Sequence, residues 1–128
     1  LNFDNEISEI FSPEKVIPSA GQGIIALQCR EDDEEIISVL KKINHNETFM
    51  RAHIERNILK VLEGDCETAV GAHSIIKGDK ITVEAELFSL DGTKRFYEKK
   101  TGKVENFSQI GREVGQILKT KSNNSYKR

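Results

Sequence analysis

The residue best placed by type and context to do chemistry is Cys66, which closes the run Leu62-Glu63-Gly64-Asp65-Cys66 between a helical pattern and an alternating one. Such junctions are loops, and loops usually present reactive side chains. The surroundings do not favour a thiolate, because a helix C-terminus is the negative end of its dipole and Glu63, Asp65 and Glu67 add carboxylates. All of these raise a thiol pKa. A protease-type nucleophile prefers a helix N-terminus or a paired histidine, a reading that would enlist His73. The chemistry better suited to Cys66 is attachment, in which the thiol traps a strong electrophile once. A metal site from His53, Cys66 and His73 lacks any recognised ligand spacing, and His45 falls between two helices. Gly21-Gln22-Gly23 lacks the third glycine of a dinucleotide fingerprint and precedes its strand instead of following one. Its glycines suit a tight entry into that strand.

The elements that position these residues follow from hydrophobic period. Residues 1–20 read as a connector, with Ser12-Pro13-Glu14 as a helix start and Pro18 as a break. Ile24 to Cys29 is a continuous apolar run of strand length, the pattern of a strand covered on both faces, with Cys29 as a small core hydrophobe. Asp32 is the expected N-cap, with Glu35 three positions on, of a helix whose Ile36, Ile37, Leu40 and Ile43 form one stripe. Asn44-His45-Asn46 interrupts it. Met50, Ile54, Ile58, Val61 and Leu62 then carry a longer helix that Gly64 is expected to stop.

From Thr68 the period becomes two, and Ala69 to Ile76, Ile81 to Phe88 and Lys94 to Thr101 read as an antiparallel meander. Gly78-Asp79 and Asp91-Gly92 are two-residue hairpin signals, the second pointing to a type I′ turn. Ile81, Val83, Ala85 and Leu87 share the buried face, which helices must cover. Phe107, Ile110, Val114, Ile117 and Leu118, capped by Asn106, supply one of them.

With 128 residues, 37% hydrophobic and 31% charged, the chain can build one ordinary core. Its apolar runs are far short of the roughly 20 residues a membrane helix needs. A net charge of -2, with basic and acidic residues interspersed, lacks the footprint of a nucleic-acid binder. The one basic cluster, Lys119 to Arg128, reads as a solvated, disordered tail. Cys29 and Cys66 form neither a disulfide scaffold nor a zinc module, so a reducing cytoplasm is the expected location. The chain starts at Leu1 with no initiator methionine, and is read as a fragment.

The runs Pro18-Ser19-Ala20-Gly21-Gln22-Gly23, Gln28-Cys29-Arg30, His45-Asn46-Glu47-Thr48, Glu55-Arg56 and Leu62-Glu63-Gly64-Asp65-Cys66 together resemble the porphobilinogen deaminases in order and spacing. Asp65 stands where that family usually has a second glycine, and Glu67-Thr68-Ala69-Val70-Gly71 where a Val-Pro pair is common. The resemblance implies a transferase of tetrapyrrole (heme) biosynthesis that condenses four porphobilinogen molecules into hydroxymethylbilane and releases ammonia. It implies a dipyrromethane primer held by thioether to Cys66, with Gly64 in the same loop. Gln22 would line the substrate cleft. Arg30, Arg51, Arg56, Arg95 and Arg112 are interleaved with acids, and Arg51 with Glu55 and Arg56 with Lys60 read as helix-surface residues. The catalytic acid and the carboxylate-binding arginines of the family precede this segment, so no catalytic residue is expected in this chain and the fragment alone is expected to be inactive.

The expected architecture is α/β in the broad sense (α+β). Residues 1–43 would be the strand-helix remnant of a preceding domain, 44–120 an α-β-β-β-α domain carrying the cysteine, and 121–128 a tail. The missing N-terminal domain is the expected partner, and the orphaned 24–27 strand an edge through which the fragment could self-associate. The alternative from another class is a non-catalytic interaction module of the same fold.

Overall fold

The computed structural model describes residues 4–63 and 68–128. Three helices, α1 (Glu34–Ile43), α2 (Asn46–Leu62) and α3 (Phe107–Ser122), accompany three strands, β1 (Val70–Lys77), β2 (Lys80–Phe88) and β3 (Arg95–Lys103). The sheet is an antiparallel meander in the order β1-β2-β3. Ala85 pairs with Ala72 on one side and Glu98 on the other, so Ala72, Ser74, Val83, Ala85 and Leu87 share the covered face. Ile54, Ile58 and Leu62 of α2 and Ile110, Val114 and Leu118 of α3 pack onto it, completing the α+β core. The two helices approach closely because Gly111 and Gly115 lie where any Cβ would meet α2. At Gly111 it would fall 2.2 Å from the Ile54 carbonyl oxygen.

The open face carries a belt of ion pairs instead. Glu84 takes Lys99 at 2.6 Å and the Tyr97 hydroxyl at 3.1 Å, and Glu86 takes Arg95 at 2.7 Å. Lys99 holds the Glu84 carboxyl below its ordinary range. Exposed pairs of this kind add little stability, so they serve mainly to keep that face wet.

Several expectations are corrected. Ile24 to Cys29 forms no strand: a doubly buried strand needs a ladder partner on at least one edge, and no described residue supplies one. Ile25 is 87% exposed and Leu27 60%. Cys29 is half-buried at the edge of an open groove with Ile37, Leu40 and Phe49, not in the core. The cap of α1 is Asp33, whose side chain accepts from the Ile36 N–H, one position beyond the expected Asp32. None of the residues of α1 is buried, so its apolar stripe is uncovered. Asn106 stands at the N-cap position of α3 without a side-chain capping bond. Ser12-Pro13-Glu14 begins a single turn, closed by Lys15 N–H and Val16 N–H to the Ser12 carbonyl, and no helix.

The hairpins differ from each other. Gly78-Asp79 joins β1 to β2 as a two-residue loop with positive φ at Gly78 only. In the second connection only Gly92 has positive φ, so no type I′ turn forms; residues 89–94 make a longer loop. Asp91 organises it, accepting from the Ser89 hydroxyl and from the Thr93 N–H and hydroxyl. These donors, Ser89 first, hold its carboxyl down to about 2.

The tail is not disordered. Asn123 and Asn124 take left-handed backbone and reverse the chain, the Leu90 N–H donates to the Ser125 carbonyl at 2.8 Å, and Tyr126 is 1% exposed. An aromatic ring outweighs the surrounding charges once a core edge is available to it. Part of the connector also packs here: Ile17 is buried, the Ala72 N–H donates to the Pro18 carbonyl at 2.9 Å, and Ala20 touches the core. A boundary at 43/44 therefore does not follow the packing of residues 17–21.

Candidate functional site

Helix α2 is the element that ties the candidate residues together. Its N-cap is His45, whose Nδ1 accepts from the Thr48 N–H at 3.3 Å, so this histidine is structural. His53 lies against two aromatic rings, stacked with Phe49 at 6.1 Å and edge-on to Phe107 at 5.6 Å. His73 is on the open face of the sheet opposite Glu84, whereas α2 covers the other face. The two histidines thus fall on opposite sides of the sheet, and no metal-ligating group of three side chains is found among the described residues.

Midway along α2, Glu55 is 3% exposed, although it was read as a surface partner of Arg51. Its Oε1 accepts from the Ser74 N–H at 2.9 Å and the Ser74 hydroxyl at 2.8 Å, and its Oε2 from the Gly21 N–H at 2.8 Å. One carboxylate thus pins the Ser19–Gly23 turn to β1. Within that turn Gln22 is exposed between two glycines of positive φ, Gly21 at 75° and Gly23 at 76°. The glycines are needed for the turn, and the turn displays Gln22 to solvent. Arg51 is half-buried, with its Nε out of contact with water and without a hydrogen-bond partner among the described residues, so it is not an ordinary surface residue either. The stripe 51, 55, 58, 62, at steps of four and three, carried the signal for both, but residue type masked it.

The C-terminal half of α2 lines an open groove with His53, Arg56, Asn57, Lys60 and Glu63. Arg56 and Lys60 are exposed there. The left-handed stop of the helix falls on Glu63, at φ 53°, where Gly64 was expected to provide it. Glu63 is held by Lys119 at 2.9 Å and Lys127 at 3.3 Å, and these two cations, Lys119 first, keep its carboxyl below the ordinary range. Gly64, Asp65 and Cys66, on which the attachment reading falls, lie outside the described residues. Arg30 and Arg112 are exposed, and Arg95 belongs to the ion-pair belt. No described helix is long and apolar enough to cross a membrane.

Fold and site together define a small α+β module in which two helices cover one face of a three-stranded antiparallel sheet, and the longer helix leads in sequence to Cys66. Residues 49–120 match the family model described as porphobilinogen deaminase, C-terminal domain, and residues 1–38 match the model described as porphobilinogen deaminase, dipyromethane cofactor binding domain. Among curated relatives, porphobilinogen deaminases of Desulforamulus reducens and Coxiella burnetii are each 37% identical over 118 residues, covering 92% of this chain and 38% of the relative. That of Chloroherpeton thalassium is 36% identical over 124 residues, covering 93% and 39%. The chain belongs to the porphobilinogen deaminase family, and it spans somewhat over a third of the length of these relatives.

Proposed function

We propose that the chain is the C-terminal part of a hydroxymethylbilane synthase, a cytoplasmic transferase that joins four porphobilinogen molecules head to tail with release of ammonia. Cys66 is the point of covalent attachment of the dipyrromethane primer. The observation that carries this reading is the position of Cys66, four residues beyond the end of a helix whose exposed flank presents Arg56 and Lys60 in one groove. A dipyrromethane bears carboxylates, and those two cations are suited to meet them. The matched segment named for the cofactor, residues 1–38, includes Gln22, while Cys66 falls in the other matched segment. Glu55 ties the two through the Gly21 N–H, so the cofactor would be gripped from one segment and bonded from the other. The primer supplies the free pyrrole end from which the product grows.

The thiol need not be acidic for this role. Loss of ammonia from porphobilinogen leaves an electrophilic methylene carbon, to which sulfur adds with transfer of its proton, giving a stable thioether. Digestion of the intact enzyme and mass spectrometry of the Cys66 peptide tests the assignment, supported by a pink-red colour with Ehrlich's reagent. A Cys66 peptide of unmodified mass from active enzyme would overturn it. The catalytic acid lies in the part of the enzyme outside this chain, so the chain alone makes no hydroxymethylbilane.

Residues 1–43 belong in this reading with the preceding domain, apart from the 17–21 segment packed on β1. Ile25, Leu27, Ile43 and Phe49 are exposed around a groove between the 24–27 segment, α1 and the start of α2. The rest of the enzyme is the occupant that covers this face; in its absence a second copy can take its place. Burying Ile25 and Leu27 contributes roughly 1.5 to 3 kcal/mol each. The chain should therefore sediment as a concentration-dependent dimer, and the double variant Ile25→Lys, Leu27→Lys as a monomer with an unchanged circular dichroism spectrum. A wild-type chain that remains monomeric at high concentration would contradict the self-association.

A further inference from the structure

We infer that the C-terminal segment from Asn123 to Lys127, together with Lys119, is a positioning device for Cys66. The inference rests on the reading of Cys66 as the attachment point. An α-helix leaves its last carbonyls without intrahelical partners, and an uncapped last turn frays. In α2 each of the last residues before Gly64 is fastened from outside the helix. The Lys119 ammonium donates to the Val61 carbonyl at 3.2 Å. The Tyr126 hydroxyl donates to the Leu62 carbonyl at 2.7 Å. Glu63, in a left-handed conformation that costs a non-glycine residue energy, has its carboxylate held by Lys119 and Lys127.

The segment is built to reach that spot. Two consecutive left-handed residues, Asn123 and Asn124, turn the chain back after α3, and Ser125 is anchored to the Leu90 N–H. Tyr126 then fills the edge of the core with its hydroxyl directed at α2. The family-model match ends at residue 120, so Tyr126 and Lys127 lie beyond the residues that match that model. Cys66 follows Glu63 by three residues, a span of about 10 Å when fully extended. Fixing residues 61–63 therefore fixes the root of the segment that carries Cys66, which matters for a thiol that must meet one carbon atom of a bound pyrrole.

The test compares the wild-type chain, its thiols reduced and free of adduct, with Tyr126→Phe, Lys119→Met and Lys119→Arg. Hydrogen exchange is followed by mass spectrometry on the peptide ending α2, and iodoacetamide alkylation is followed separately at Cys66 and Cys29. Tyr126→Phe and Lys119→Met should each speed exchange in the last turn of α2 and alkylation of Cys66 by about fivefold to tenfold, the effect of losing one well-formed hydrogen bond. Cys29 should keep its rate, and Lys119→Arg, which can still donate to Val61 and Glu63, should restore the wild-type values. A Cys66 rate within about twofold of wild type in both loosened variants overturns the proposal, and so does equal acceleration at both cysteines, which reports global destabilisation. Should Tyr126→Phe fail to fold, the two Lys119 variants decide alone. Failure of the attachment reading is seen separately, as an intact enzyme lacking the adduct mass, whatever the alkylation ratio.

Discussion

Cys66→Ser in the intact enzyme is expected to remove the covalent dipyrromethane completely while leaving the α+β domain folded. Serine preserves size and hydrogen bonding, but its hydroxyl is a far weaker nucleophile at neutral pH than the intrinsically nucleophilic sulfur of a thiol. The thioether is the only permanent link the proposed chemistry makes to this chain, so its loss should be all or none and not graded. Stability should barely change, because the core is built from the apolar residues of α2, α3 and the sheet. Intact mass and far-ultraviolet circular dichroism check both halves. A serine variant that still carries the adduct would move the attachment point elsewhere.

Glu55→Ala should destabilise the chain by about 3 to 5 kcal/mol, a large fraction of what a domain of this size possesses. Truncation leaves the buried Ser74 N–H and the part-buried Gly21 N–H without an acceptor, and the Ser74 hydroxyl with only the Arg51 carbonyl, 3.5 Å away. Each orphaned buried donor costs about 1 to 3 kcal/mol, and lost packing adds to that. Glu55→Gln should cost less: its one carbonyl oxygen can still serve Ser74, but its amide nitrogen would confront the Gly21 N–H, another donor. The Ser19–Gly23 turn should then loosen while β1 stays protected. Urea denaturation gives the first comparison and amide exchange at Gly21 and Ser74 the second. A Glu55→Ala variant within about 1 kcal/mol of wild type would mean that water reaches this carboxylate's partners.

Periodicity made the core of the domain readable. The three strands, α2 and α3 lie within a few residues of their expected positions, because each buries one face and the spacing of apolar residues records which face that is. The same logic misled at Ile24 to Cys29, where the pattern of a buried strand is present but the neighbouring strand is not. It also misled at the tail, where Lys119, Lys121, Lys127 and Arg128 suggested a solvated end. Composition there concealed Tyr126, whose ring finds the core only after two left-handed asparagines turn the chain back.

By itself the sequence determined the element types from α1 to α3, the buried face of the meander, and through five short runs the family. These depend on local chemistry and spacing, which a linear string preserves. Only the tertiary structure decided that Glu55 is buried and binds two distant segments, that Gly111 and Gly115 let α2 and α3 touch, and that Tyr126 and Lys119 fasten the helix leading to Cys66. Each of those contacts joins groups that are tens of residues apart along the chain. A polar side chain is buried only where folding brings it enough partners to replace water, and nothing in its neighbours along the chain records whether those partners arrive.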